Sequence, residues 1–113
     1  MSDLLRRHVA AFNDRDVEAL LAGFTDDAGW ITGTTVARGR AGLRELFESA
    51  VTRLLPTLTI DTVVADGDVV AAELTERLTH EGEDRTFAIA AFYRLRDGRI
   101  ASAKIYREGS AEL

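Results

Sequence analysis

The sequence contains one proline, Pro56, and its hydrophobic pattern changes period there. Before Pro56, apolar residues recur every three or four positions, the spacing of one helix face. After it they alternate, the spacing of strands with one buried side. Proline lacks a backbone donor and pushes the preceding residue out of helical geometry, so it suits such a boundary. Helices followed by an antiparallel meander make an α+β layout. The 113 residues fit one domain, 1–113, long enough to build a core without cross-links.

In the helical half, Ser2 or Asp3 caps a first helix that runs to about Asn13. Leu4, Leu5, His8, Val9, Ala11 and Phe12 form its apolar stripe. Asp16 caps a second helix from Val17 to about Ala22, which Gly23 ends in a left-handed conformation. Asp26-Asp27 predict a turn before a short strand over 29–32, and Gly33, Thr34 and Thr35 a loop. Arg40–Arg53 reads as a third helix, with Leu43, Leu46, Phe47, Ala50 and Leu54 inward.

Beyond Pro56, strands are predicted over 57–65, 68–80, 85–96 and 99–107. Asp66-Gly67-Asp68 and Asp97-Gly98 are tight hairpin signals, and 81–84 is a polar turn. A twisted sheet curling around three helices leaves a cavity at its wide end, a natural place for a ligand.

Composition narrows the function. Cysteine is absent, which removes disulfides, thiolate nucleophiles and cysteine-based zinc sites, and fits the cytoplasm. The two histidines lie far apart and the carboxylates are scattered, so no metal site is expected. A net charge of −5 argues against a general nucleic-acid binder. No apolar run approaches the ~18 residues of a membrane span, and the N-terminal residues lack a secretory signal's long apolar centre. Phosphate-loop and nucleophile-elbow patterns are missing.

The helix pair AAFNDRDVEALLAGF is followed by TDDAGWITG, RGRAGLRELFE, LPTLTIDTVVADGDVVAAELTERL and the closing hairpin FYRLRDGRIASAKIYRE. This order of pieces resembles the SnoaL-like group of the nuclear-transport-factor-2-like superfamily. The resemblance implies a cone of helices on a curved sheet. It implies no single reaction, because that superfamily holds isomerases, cyclases, hydrolases and non-catalytic binders. ELTERLTH and the last hairpin are more weakly similar to limonene-epoxide hydrolase. In that family an arginine, two aspartates, a tyrosine and an asparagine hold and activate a water. On that resemblance Arg77 matches the arginine, Thr79 and Ile105 replace the aspartates, and Trp30 and Thr32 replace the tyrosine and asparagine. Threonine and isoleucine cannot act as a base near neutral pH, so the resemblance implies the pocket without that chemistry. Ketosteroid-isomerase chemistry would need a carboxylate base with hydroxyl donors; Asp61, Tyr93 and Tyr106 are of the right type, but none falls at a position that matches that family's set.

The predicted ligand-binding set is Trp30, Thr32, Arg77, Thr79, His8, Glu73 and Ile105. Trp30 offers a flat stacking surface, or else packs in the core. His8 is an acid or base near neutral pH, or a buried structural histidine. The register is assigned with Arg77 facing the cavity, which brings Glu73, Thr75 and Thr79 to the same side. Arg77 then anchors a carbonyl or anion, or else makes an ion pair on an exposed face. The other side carries Val70, Ala72, Leu74, Glu76 and Leu78. With Ala88, Ala90 and Phe92 on the next strand, its apolar residues predict a homodimer through the sheet. The expected ligand is small, largely apolar and cyclic or polyketide-like, and any catalysis is acid–base work without cofactor or metal.

Overall fold

The computed structural model describes residues 2–53 and 56–108. Leu54, predicted to face inward, lies outside them. Three helices are described: α1 (Ser2–Asn13), α2 (Val17–Ala22) and α3 (Gly39–Arg53). The strands are β1 (Phe24–Thr32), β2 (Thr35–Arg38), β3 (Thr57–Asp66), β4 (Val69–His80), β5 (Glu83–Arg96) and β6 (Arg99–Glu108). They form one sheet in the order β2-β1-β6-β5-β4-β3, in which only the β1–β6 pair is parallel. The α+β layout is the one expected from the change of period at Pro56, and the cone is the one that the SnoaL-like resemblance implies. No described helix is long and apolar enough to cross a membrane.

Each helix buries one stripe. Leu5, His8, Val9 and Phe12 of α1, Leu20 and Leu21 of α2, and Leu43 and Phe47 of α3 meet Val70, Leu74, Ala91, Tyr93, Ile100 and Ala103 of the sheet. Asp16 caps α2 by accepting from the Ala19 N–H. The end of α1 is tied to β3 by a side chain that imitates a strand. Asn13 donates to the Leu58 carbonyl at 2.9 Å and accepts from the Leu58 N–H at 2.8 Å. The Arg15 guanidinium adds donor contacts to the Phe12 and Pro56 carbonyls.

Several local expectations change. Gly23 ends α2 in right-handed geometry, at φ −81°, because its N–H still bonds back to the last helical turn. Asp26 and Asp27 lie within β1, in a stretch where the register with β6 slips between Phe24 and Gly29. Two ion pairs hold that bulge, Arg40 to Asp26 at 2.9 Å and Arg96 to Asp27 at 2.5 Å. Thr35 belongs to the edge strand β2 rather than to a loop. The turn after β4 is only Glu81-Gly82, at φ 53° and 78°, the pair of positive angles that a two-residue hairpin of this kind requires.

The largest correction concerns the face of β4. Val70, Ala72, Leu74 and Leu78 are buried in the core, while Glu73, Arg77 and Thr79 are exposed. The register is therefore opposite to the one assigned around Arg77. A strand with a period of two buries whichever set is more apolar, and a one-position error exchanges the sets. On β5, Ile89, Ala91 and Tyr93 point inward, and Ala88, Ala90 and Phe92 point out. The two groups predicted to form one dimer face thus lie on opposite sides of the sheet.

Candidate functional site

Between the concave side of the sheet and the helices lies a cavity of about 160 Å³ that opens to solvent. Its walls are mainly apolar: Phe12 of α1, Leu46, Phe47 and Ala50 of α3, Leu58, Leu74, Ile89 and Ile105 of the sheet, and Trp30. The one charged pair facing it among the described residues is Glu76 of β4 and Arg107 of β6. An apolar concavity with a few convergent polar groups is the usual form of a small-molecule site.

Glu76 takes an inward position between Leu74 and Leu78, and the β4–β5 register sets it opposite Phe87. Arg107 sits opposite Ile89 on the other side of β5. Long side chains reach such diagonal neighbours across a sheet. Arg107 Nη2 lies 2.5 Å from Glu76 Oε1, and the guanidinium stacks 4.2 Å above the Phe87 ring. The contact is an ion pair without directed hydrogen-bond geometry, since Oε1 is fully shielded from solvent yet has no aligned donor. Burial is unequal: 12% of the Glu76 side chain is exposed, against 40% of Arg107.

The inner end of the cavity is aromatic. His8 is buried beside Phe24, Trp30, Phe47 and Tyr93, with ring centroids 5.6, 6.0, 6.4 and 5.8 Å away. Burial lowers its pKa from 6.5 to about 4, so the imidazole is neutral at neutral pH. Burial also pushes the Tyr93 phenol upward, which keeps it protonated. Both are hydrogen-bonding groups rather than charges.

Of the residues singled out from sequence, His8, Trp30, Thr32 and Ile105 line this cavity. Glu73, Arg77 and Thr79 are on the outer side, where Thr79 donates to Asp84. Glu73 borders a broad open notch beside the Gly33 turn, where β6 continues past the end of β1. Asp61 and Tyr106 are also outside; Asp61 accepts from Thr75 and Tyr106 packs edge-on to Phe92. Sequence reasoning missed Glu76 and Arg107. The available signal was the charge of Glu76 inside the more apolar face of β4, which calls for a partner.

The family model described as a SnoaL-like domain matches residues 5–103. The chain belongs to the SnoaL-like family. No curated protein matches it. Among solved structures, this SnoaL-like chain superposes on an NTF2-like protein of unknown function from Burkholderia pseudomallei with a TM-score of 0.87 at 19% identity, covering 95% of this chain and 89% of that one. SalBIII, an epoxide hydrolase/cyclase-like enzyme with a role in forming the pyran ring of salinomycin, gives 0.85 at 25% identity, covering 97% and 95%. An epoxide hydrolase of the limonene type from M. tuberculosis gives 0.84 at 22% identity, covering 94% and 80%. The family contains members of several chemistries, so the site must carry the functional argument.

Proposed function

We propose that this SnoaL-like chain binds a small, ring-sized, mainly apolar molecule in the cone, with its polar end on Glu76 and Arg107. The observation that carries this reading is an apolar cavity with a single ion pair facing it. The volume sets the size. An apolar cavity of about 150 Å³ accommodates benzene, so a cavity of about 160 Å³ has room for one ring. The expected polyketide-like ligand is thereby narrowed to a single ring. SalBIII, which has a role in pyran ring formation in a polyether, supports a small-molecule site in this cone but not its size.

The acid–base chemistry of this site is proton transfer through Glu76, the only carboxylate lining the cavity among the described residues. Arg107 donates to an oxygen on which negative charge develops. His8 and Tyr93 stay neutral and orient. The test is unfolding temperature against single-ring and steroid-sized compounds. A single ring at ~100 times its dissociation constant adds about 2.7 kcal/mol, on the order of a 10 °C rise. Steroid-sized compounds leave the temperature unchanged. A rise with steroids and none with single rings contradicts the reading.

A second reading, self-association through the outer face, is favoured by one observation. Phe92 and Tyr106 are 47% and 51% exposed there, in edge-to-face contact at 6.0 Å and flanked by Ala88 and Ala90. Exposed aromatic pairs beside small residues suit a protein interface. Phe92 and Tyr106 do not line the cavity, so both readings can hold.

A further inference from the structure

Resting on the reading of the cone as a binding site, the geometry points to a charge rule for its ligand: the mouth selects an uncharged head that carries both a hydrogen-bond donor and an acceptor, and rejects carboxylates and ammonium-like groups. Primary amides, lactams and hydroxy-ketones have such heads.

The argument starts from the charge balance at the site. Glu76 and Arg107 are the only charged side chains lining the cavity among the described residues, and they are already in contact at 2.5 Å. His8 adds no charge at neutral pH. The pair presents a net charge of zero to an incoming group. A ligand carboxylate drawn to Arg107 has to share it with Glu76, placing two anions on one cation beside an apolar cavity. If it displaces Glu76, a mostly buried carboxylate loses its partner. A ligand cation meets the mirror problem with Arg107. A neutral donor–acceptor head leaves the pair intact. Its donor is accepted by the second Glu76 oxygen, and its acceptor takes one of the five guanidinium N–H groups.

Arg107 is also held for this task. Its guanidinium carbon lies 4.2 Å above the Phe87 ring, a cation–π contact that restrains it. A restrained fork loses little freedom when it adds a partner. Glu76 lies on β4 and Arg107 on β6, with β5 between them, so a continuous ladder sets their separation.

The test uses four molecules of one ring size: toluene, benzamide, benzoate and benzamidinium, titrated calorimetrically into the protein at neutral pH. Benzamide is expected to bind at least tenfold tighter than either ion and tighter than toluene. Benzoate pays its own dehydration, so Glu76→Gln makes the decisive comparison. Freeing Arg107 of its carboxylate should improve benzoate at least tenfold relative to benzamide. Equal or tighter binding of an ion to the unsubstituted protein overturns the charge rule, as does an unchanged benzoate-to-benzamide ratio in Glu76→Gln. Toluene binding as tightly as benzamide overturns head-group recognition and leaves the cone reading standing. No binding of any of the four, toluene included, removes the cone reading and the rule with it.

Discussion

Glu76 and Arg107 are unequal partners, and the inequality predicts an unequal response to substitution. Removing Arg107 strands a carboxylate whose Oε1 is fully shielded, whereas removing the charge of Glu76 leaves a guanidinium that is 40% exposed. Arg107→Ala should therefore cost about 2 kcal/mol and Glu76→Gln less than about 1 kcal/mol, measured by denaturant unfolding. The reverse order would show that the pair is not the buried contact described. His8 gives a pH signature. Its pKa is 6.5 when solvated and about 4 when folded, so between those values the unfolded chain binds more protons. Stability contributed by neutral His8 is fully present above pH 6.5 and is lost as pH falls toward 4, by about 3 kcal/mol at ~1.4 kcal/mol per pH unit. In His8→Leu that part of the acid dependence should disappear, and its persistence would assign the effect to other groups. His8 was legible in the sequence as part of the apolar stripe of α1, whereas Trp30, Thr32 and Ile105 were reached through the resemblance to limonene-epoxide hydrolase, since β1 has no plain buried side. Glu76 was legible only as a charge within an apolar face. Its partner is on a different strand beyond β5, and nothing in the local sequence of β4 announces Arg107.

At the scale of elements, the reciprocal bonds of Asn13 predict a specific weakness. Asn13→Ala removes both and leaves a partly buried Leu58 N–H without its acceptor. A loss of about 1–2 kcal/mol is expected, together with faster amide exchange at Leu58 than elsewhere in β3. Uniform exchange along β3 would contradict a local tie. Leu74 shows why facing matters: at 3% exposure it is core, so Leu74→Arg should prevent folding rather than separate subunits. The long strands and the three helices could be read from period and from Asp-Gly turns. The edge strand β2 could not, because Thr35, Val36 and Arg38 are exposed and four residues carry little pattern. The bulge in β1 was mistaken for a turn because Asp26 and Asp27 have turn chemistry, while their roles here are ion pairs to Arg40 and Arg96.

At the scale of the molecule, one proline and a change of period were enough to give the α+β layout, and the cone came from the SnoaL-like resemblance. The cavity at its centre follows from how the sheet curls, but which side chains enter it depends on a register that local sequence leaves open by one residue. The outer face carries its own prediction. Phe92→Lys should leave the fold intact, since Phe92 is already 47% exposed, and should convert a dimer to monomers in analytical ultracentrifugation. An unsubstituted protein that sediments as a monomer at high micromolar concentration would remove the self-association reading. The central claim, that the cone is a binding site for one ring, is tested most directly through Trp30, the only tryptophan, which lines the cavity. Its fluorescence should change saturably on titration with benzamide, and the change should vanish in Ala50→Phe, where a new ring fills the cavity from α3. Saturation with the same midpoint in Ala50→Phe, or no saturation in either protein, would contradict the claim.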